Sequence, residues 1–130
     1  TVRLTVVDTT GLSASTTQTV TVSAPVVQKT ASVKSITMSI STSRTGYATA
    51  TGVVTVVNQA GQTLSGASVA ATWSGIVSRS STATTSSTGR VSFSSPSTKS
   101  TGCFKLAVTK ITLTGYTFTS TAAATNQICR

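Results

Sequence analysis

The sequence predicts an all-β fold, an antiparallel β-sandwich with an additional hairpin at its N-terminal end. The 130 residues include 30 Thr and 22 Ser, and β-branched Thr suits a pleated sheet better than a helix. Apolar residues alternate with polar ones along short segments, which is the period of a half-buried strand. Turn signals that contain Gly or Asn separate these segments, as they do in antiparallel sandwiches.

About seven strands are predicted for residues 33–130. The first, residues 33–40, places Ile36, Met38 and Ile40 on one face, as expected where only one face of a strand is buried. The other predicted strands are residues 47–58, 67–73 and 80–86, a segment around Val91 and Phe93, residues 102–113, and a segment after Gly115 that carries Tyr116 and Phe118 on one face. The inward faces of these strands supply the apolar residues of one core.

Residues 1–24 predict a separate β-hairpin. Apolar residues alternate over residues 2–7 and again over residues 17–22. Residues 8–11, Asp-Thr-Thr-Gly, carry turn chemistry because Asp and Gly both favour turns. A lone hairpin is marginally stable in water, so this one needs further strands, from the main domain or from elsewhere.

Residues 25–32 are predicted to be a linker between this hairpin and the domain at residues 33–130. Pro25 begins the segment, and proline biases its neighbourhood away from helix. The sequence starts at Thr1 and contains neither a signal peptide nor a stretch of membrane-spanning length. We therefore expect a processed product or a fragment of a longer chain, without a membrane span.

The charge inventory argues against catalysis. The chain has ten Lys and Arg residues, one acidic residue, Asp8, and no His, for a formal net charge of +9. Most catalytic schemes need a carboxylate, a His, or a metal held by such groups. The composition still allows a Ser–Lys pair, but neither a Gly-x-Ser-x-Gly nor a Ser-x-x-Lys motif occurs. We expect no enzyme activity, no catalytic residues, no cofactor and no metal site.

The basic excess has two interpretations. It could attract an anionic partner such as nucleic acid, an acidic polysaccharide or a cell surface, or it could keep a hydroxyl-rich surface soluble. The basic residues are scattered singly along the chain, and no aromatic RNA-binding motif accompanies them. These features favour solubility, leave a polysaccharide or an anionic surface as an open partner, and argue against nucleic acid.

The two cysteines, Cys103 and Cys129, predict a disulfide. Two Cys without any His cannot form a sound zinc site, and a Cys pair in a Ser/Thr-rich β chain indicates an oxidising compartment. Cys103 begins the predicted strand at residues 102–113, on the face opposite Phe104. If that strand and the next form a hairpin centred near Tyr116, Cys103 and Cys129 face each other across it.

Three aromatic residues are candidate ligand contacts: Tyr47, Trp73 and Tyr116. Trp73 could be a platform on which a sugar stacks, but its alternation with apolar neighbours favours the core. Tyr47, Tyr116 and Phe118 could instead form a binding strip. With only six aromatic residues in the chain, the core needs most of them, which argues against the strip.

The first 24 residues resemble the last two strands of a PKD-type (polycystic-kidney-disease-type) domain. The matching segments are VRLTVVDTTGLS at residues 2–13 and QTVTV at residues 18–22. In that family an aspartate follows the penultimate strand and a Gly-containing turn leads to the last strand. Asp8 and Gly11 occupy those positions. The resemblance implies a partial PKD-like hairpin, because the earlier strands of such a domain are not in this sequence.

Residues 33–130 are similar to an immunoglobulin-like domain that often follows PKD domains in secreted bacterial hydrolases, peptidases especially. The residues that carry the similarity are 48–50, 54–58, 61, 66–67, 69, 73–75, 88–91, 93–95, 102–104 and 115–116. The resemblance implies an immunoglobulin-like β-sandwich of about seven strands, and an accessory module without catalytic residues. The cysteine pair and the scarcity of acidic residues lie outside the family's pattern.

The expected function is that of an accessory or structural module of a larger secreted bacterial protein. Its expected partners are other domains of the parent chain, including a hydrolase domain, and its roles are spacing, stabilisation or surface attachment. One alternative is a module that binds a polysaccharide or a fibrous protein. Another is a self-assembling adhesin or filament subunit, in which residues 1–24 associate by strand addition.

Overall fold

The structure, a computed structural model, describes the backbone of residues 2–7 and 13–18 and all of residues 28–130. The described elements are β1 (Val2–Val7), β2 (Ser13–Gln18), β3 (Lys29–Thr42), β4 (Ala48–Asn58), β5 (Ser68–Gly75), β6 (Arg79–Thr84), β7 (Arg90–Ser94), β8 (Cys103–Thr112), β9 (Tyr116–Phe118), a 3-10 helix (Ala122–Ala124) and β10 (Thr125–Cys129). The part of the chain described here is therefore all-β, as the sequence predicted.

The strands of residues 28–130 form two four-stranded sheets. The front sheet has the order β7-β4-β3-β9, and the back sheet has the order β10-β8-β5-β6. Neighbouring strands are antiparallel except for β3 and β9, which are parallel. Side chains of both sheets belong to one buried core, which is the arrangement of a β-sandwich.

The alternation that predicted the strands is visible in their burial. Every second residue of β4 from Ala48 to Val56 is buried, and the residues between them are only partly buried. The largest fully buried side chains come from both sheets: Val54, Val56, Val69, Trp73, Phe104 and Leu106. Each contributes roughly 1.5–3 kcal/mol to folding by leaving water. Gly52 lies where a Cβ would collide with the Leu106 side chain, so a glycine lets the sheets approach at this point.

The long hairpin of β3 and β4 sets the length of the front sheet. Its ladder runs from Ala31, opposite Asn58, to Thr42, opposite Ala48, with one irregularity between Val33 and Ser35. The first strand of the sandwich begins at Lys29, four residues before the predicted start. Residues 29–32 therefore belong to the strand and not to the predicted linker, because they pair with both β4 and β9.

The C-terminal segment crosses between the sheets, which corrects the predicted hairpin of the sixth and seventh strands. After β8, the chain turns at Gly115 (φ 82°), and Tyr116–Phe118 pair in parallel with Lys29–Ala31 of the front sheet. The chain then returns to the back sheet, where β10 pairs with β8. Apolar alternation located Tyr116 and Phe118 correctly but carries no information about which sheet a strand joins.

Two buried hydroxyl groups hold the ends of neighbouring strands together. Thr85 accepts a hydrogen bond from the Ala67 N–H (2.9 Å) and donates one to the Leu64 carbonyl (2.7 Å). Ser95 accepts one from the Ala50 N–H (2.9 Å). Buried backbone groups need such partners where a ladder ends.

The N-terminal strands β1 and β2 form their own two-stranded antiparallel sheet, with Val2 opposite Gln18 and Val7 opposite Ser13. The second strand lies at Ser13–Gln18 rather than beginning at residue 17. Ser13–Gln18 contains almost no apolar residues, so an alternation pattern could not locate it. The predicted turn at residues 8–11, the predicted strand residues 19–22, and residues 25–27 of the linker lie outside the described residues.

Candidate functional site

Trp73 is a core residue, which corrects its candidacy as a ligand contact. Its side chain is 0% exposed and meets Phe104 edge to face, with ring centroids 6.5 Å apart. The Trp73 Nε1–H is buried without a hydrogen-bond partner among the described residues. A sugar cannot stack on a ring that solvent does not reach.

Tyr47 and Tyr116 lie at opposite ends of the sandwich, so the proposed binding strip does not exist. Tyr116 pairs with Lys29, the first residue of β3, whereas Tyr47 follows the turn after Thr42, the last residue of β3. At the usual rise per residue these two ends of β3 are about 40 Å apart. Tyr116 and Phe118 are partly buried against the core, while Tyr47 is 44% exposed.

The disulfide between Cys103 and Cys129 is present, as predicted. The two residues are directly opposite each other on β8 and β10, within one sheet rather than between the two sheets. Beyond them, the Arg130 N–H donates a hydrogen bond to the Gly102 carbonyl at 3.1 Å. The bridge therefore holds the last described residue, Arg130, against the end of the sandwich.

Four residues lie at this end of the sandwich and form what we term the basic pole: Arg44 and Tyr47 on the turn after β3, Lys99 next to Thr98, and Arg130 after β10. The Lys99 Nζ lies 4.8 Å from the centroid of the Tyr47 ring. One nitrogen of the Arg130 guanidinium, Nη1, donates to the carbonyls of Gly46 (3.3 Å) and Thr98 (3.4 Å). The guanidinium thus links two loops that are distant in the sequence.

The loop of residues 43–47 presents Arg44 and Tyr47 through a tight turn. The Gly46 N–H donates to the Ser43 carbonyl (3.0 Å), and the Ser43 N–H donates to the Tyr47 carbonyl (2.8 Å). Gly46 has a φ of 82°, a left-handed conformation that glycine adopts readily. Arg44 is exposed within this turn, so its guanidinium reaches solvent.

The loop that carries Lys99 is fixed to the same turn by backbone hydrogen bonds. Ala48 and Thr98 form an isolated antiparallel bridge, with the two N–H groups donating to the opposite carbonyls at 2.8 and 2.9 Å. The position of Lys99 over Tyr47 follows from this pairing. No sequence pattern indicates this cluster, because residues 44, 99 and 130 are far apart in the chain and only the fold brings them to the same end of the sandwich.

The side-chain charges of residues 28–130 are all positive. Nine of the ten basic residues lie in this range, since only Arg3 precedes it, and the sole acidic residue, Asp8, also precedes it. No side-chain carboxylate within residues 28–130 can neutralise the basic pole. Clustered cations create a potential that attracts anions.

A second surface feature lies on the outer face of the front sheet. Here a shallow concavity of about 220 Å³ is lined by Ser35, Thr37, Val53, Thr55 and Arg90. The strands present hydroxyl groups at this face because the alternate residues of β3 and β4 point into the core. The concavity contains one charged residue and no aromatic ring.

Residues 28–130 and the two N-terminal strands contain no group of three or more His, Cys, Asp or Glu that could bind a metal ion. Within the same described ranges, no helix is long and apolar enough to cross a membrane. Comparisons with family models, with curated proteins and with solved structures found no match to this chain.

Proposed function

We propose that this chain is a non-catalytic extracellular accessory module of a larger secreted bacterial protein, in which it acts as a spacer or a surface attachment. The observation that carries the proposal is the position of the two ends of the sandwich. Residue 28 precedes β3 at one end, whereas Arg130 contacts Gly46 and Thr98 at the other. Segments of a longer chain joined at these positions would be held about 40 Å apart.

An immunoglobulin-like topology is part of this proposal. The first, second and fifth strands of the sandwich, β3, β4 and β7, share the front sheet, while the third and sixth, β5 and β8, are neighbours in the back sheet. This distribution resembles the Greek-key connections of immunoglobulin-like domains. The antiparallel pairing of β1 with β2 similarly supports a PKD-like origin for residues 1–24.

The disulfide supports an extracellular location. Disulfides persist in oxidising compartments and are rare in the cytosol. Cys103 and Cys129 close a loop with a sequence separation of 26 residues, which contributes about 3 kcal/mol in the chain-entropy model. The bridge stabilises the end of the sandwich that carries Arg130.

The spacer function is tested by placing residues 28–130 between two fluorescent proteins and measuring single-molecule energy transfer. The matched control is a Gly/Ser linker of the same number of residues. We expect a narrow distance distribution for the sandwich and a broad one for the linker, because Gly/Ser chains are random coils. Equally broad distributions would contradict the spacer function.

Self-association through residues 1–24 is a second candidate function. In the described part of the chain, β1 and β2 pair only with each other, and a two-stranded sheet gains stability by adding strands. Analytical ultracentrifugation should then show concentration-dependent association of the full chain, lost on deleting residues 1–24. A full chain that stays monomeric across the concentration range would remove this candidate.

A further inference from the structure

We infer that the basic pole, formed by Arg44, Tyr47, Lys99 and Arg130, binds a linear anionic polysaccharide that carries sulfate or carboxylate groups. The proposed function includes attachment to a surface, and this inference names the class of ligand that the surface would offer. The inference therefore rests on the proposed function. The site is formed by the turn at residues 43–47, the loop that carries Lys99 and the segment held by the disulfide.

The first support is charge. Three of the four side chains of the basic pole are cationic, and residues 28–130 contain no Asp or Glu. Arg130 uses its Nη1 for the carbonyls of Gly46 and Thr98, which leaves the donors on Nη2 and Nε for an anion. A guanidinium fork matches the oxygens of a carboxylate or a sulfate ester because it offers paired N–H donors.

The second support is preorganisation. The Arg130 side chain is held by two carbonyls, and its backbone is held by Gly102 next to the disulfide. Lys99 is held over the Tyr47 ring. Side chains that are already ordered lose less conformational entropy when a ligand binds.

The third support is the neutral surroundings of the cations. The Ser43 and Thr45 hydroxyls hydrogen-bond each other at 2.9 Å beside Arg44, and Ser100, next to Lys99, is exposed. Hydroxyl groups can donate to and accept from the hydroxyl groups of a sugar. A linear polysaccharide offers both kinds of group, anionic and hydroxyl, at short intervals along one chain.

Nucleic acid fits the same surface less well. Binding of single strands relies on aromatic rings that stack on successive bases. Among residues 28–130, Tyr47 is the one large hydrophobic residue that is exposed. Lys99 lies over one face of its ring, so that face is not open for a base to stack on. The disulfide also indicates an extracellular environment, where anionic polysaccharides are the common polyanions.

The test compares two variants of the full chain that lose the same charge at different places. Arg44→Gln with Lys99→Gln removes one Arg and one Lys from the basic pole. Arg90→Gln with Lys110→Gln removes one Arg and one Lys from β7 and β8, away from the pole. All four residues are exposed, and the thermal midpoint of each variant checks that it stays folded.

Affinity is measured by titration calorimetry at several salt concentrations. The probes are heparin, which is sulfated; polygalacturonate, which carries only carboxylates; dextran, which is neutral; and a single-stranded oligonucleotide. We expect the unmodified chain to bind heparin or polygalacturonate but not dextran. The pole variant should bind at least tenfold more weakly, with a salt slope reduced by about two, and the control variant less than threefold more weakly.

Several outcomes would overturn the inference. Equal losses in the two variants would assign binding to the net charge alone. A larger loss in the Arg90/Lys110 variant would place the site away from the basic pole, on β7 or β8. Tighter binding to the oligonucleotide than to either polysaccharide would also overturn the inference. A folded chain that binds no probe would remove the site but leave the spacer function intact, since energy transfer tests that function separately.

Discussion

The two ends of the sandwich use the same pair of residue types for different purposes. At the basic pole, Lys99 lies 4.8 Å from the Tyr47 ring, and at the opposite end Lys29 lies 5.8 Å from the Tyr116 ring. Tyr47 is exposed, whereas Tyr116 packs against the core and pairs with β3. A Lys–Tyr contact is therefore part of a surface at one end and part of the scaffold at the other.

Hydrogen bonding shows the same difference. At the opposite end the bonds join strands and their neighbours: the Thr119 N–H donates to the Ala31 carbonyl (2.9 Å), and the Thr30 N–H donates to the Gln59 side chain (3.0 Å). At the basic pole a cationic side chain, Arg130, bonds two loop carbonyls. We conclude that substitutions at the opposite end should affect mainly stability, and those at the pole mainly binding.

The largest effect is expected from removing the disulfide. Replacing Cys103 and Cys129 by Ser should lower the free energy of unfolding by about 3 kcal/mol, since the unfolded chain regains the entropy of a closed loop. It should also weaken polysaccharide binding, because Arg130 is held beside the bridge. Chemical denaturation and calorimetry measure the two effects. A loss of stability with unchanged affinity would show that the bridge does not organise the pole.

Removing the buried Thr85 hydroxyl should lower the free energy of unfolding almost as much as removing the disulfide. Thr85→Val keeps the shape of the side chain but leaves the Ala67 N–H and the Leu64 carbonyl without their partner, at a cost of about 2–3 kcal/mol. Thr82→Val, on the exposed side of β6, is the matched control and should change stability by less than about 0.5 kcal/mol. Equal effects in urea denaturation would show that the buried hydroxyl is not a structural requirement.

Tyr116→Ala tests the opposite end directly. The partly buried ring should contribute about 1–2 kcal/mol of stability through its apolar contacts, and its loss should leave the affinity for heparin within twofold. Denaturation and calorimetry on the same sample give both values. Weaker binding by a fully folded Tyr116→Ala variant would mean that the two ends are not functionally distinct.

Tyr47→Ala should have the opposite effect to Tyr116→Ala: it should weaken heparin binding and produce the smallest change in stability. The exposed ring should contribute less than about 0.5 kcal/mol to folding. Losing its contact with Lys99 should weaken heparin binding about threefold, since exposed cation–π contacts are worth about 0.5–1 kcal/mol. Tyr47→Phe keeps the aromatic face and should bind like the unmodified chain; if it binds as weakly as Tyr47→Ala, the hydroxyl and not the ring is responsible.

Much of the sandwich could be predicted from the sequence because burial on one face of a strand leaves a period of two. The sequence predicts Ile36, Met38 and Ile40 on one face of a strand; Ile36 is buried, and Met38 and Ile40 pack against the core. The sequence also predicts the Cys103–Cys129 disulfide, but it does not predict that Cys129 lies on a separate strand, β10, that follows β9. Residues 116–129 split into β9 and β10 in different sheets, and local alternation cannot distinguish a hairpin from such a crossover.

The basic pole could not be predicted, because a local sequence pattern carries no information about which distant residues the fold brings together. Arg44, Lys99 and Arg130 are isolated in the sequence, and only the Ala48–Thr98 bridge and the disulfide bring them together. Charges that are scattered singly along a sequence favour solubility and do not locate a binding site. The position of Trp73, by contrast, could be predicted: its alternation with apolar neighbours favours the core, and the structure buries it there.

The most direct test of the difference between the two ends is a map of amide chemical shifts during titration of the full chain with a heparin oligosaccharide. We predict the largest changes at residues 43–47, 97–101 and 129–130, with residues 28–31 and 116–119 unchanged. Changes spread evenly over the basic residues, or centred on residues 28–31 and 116–119, would contradict the assignment of binding to the basic pole.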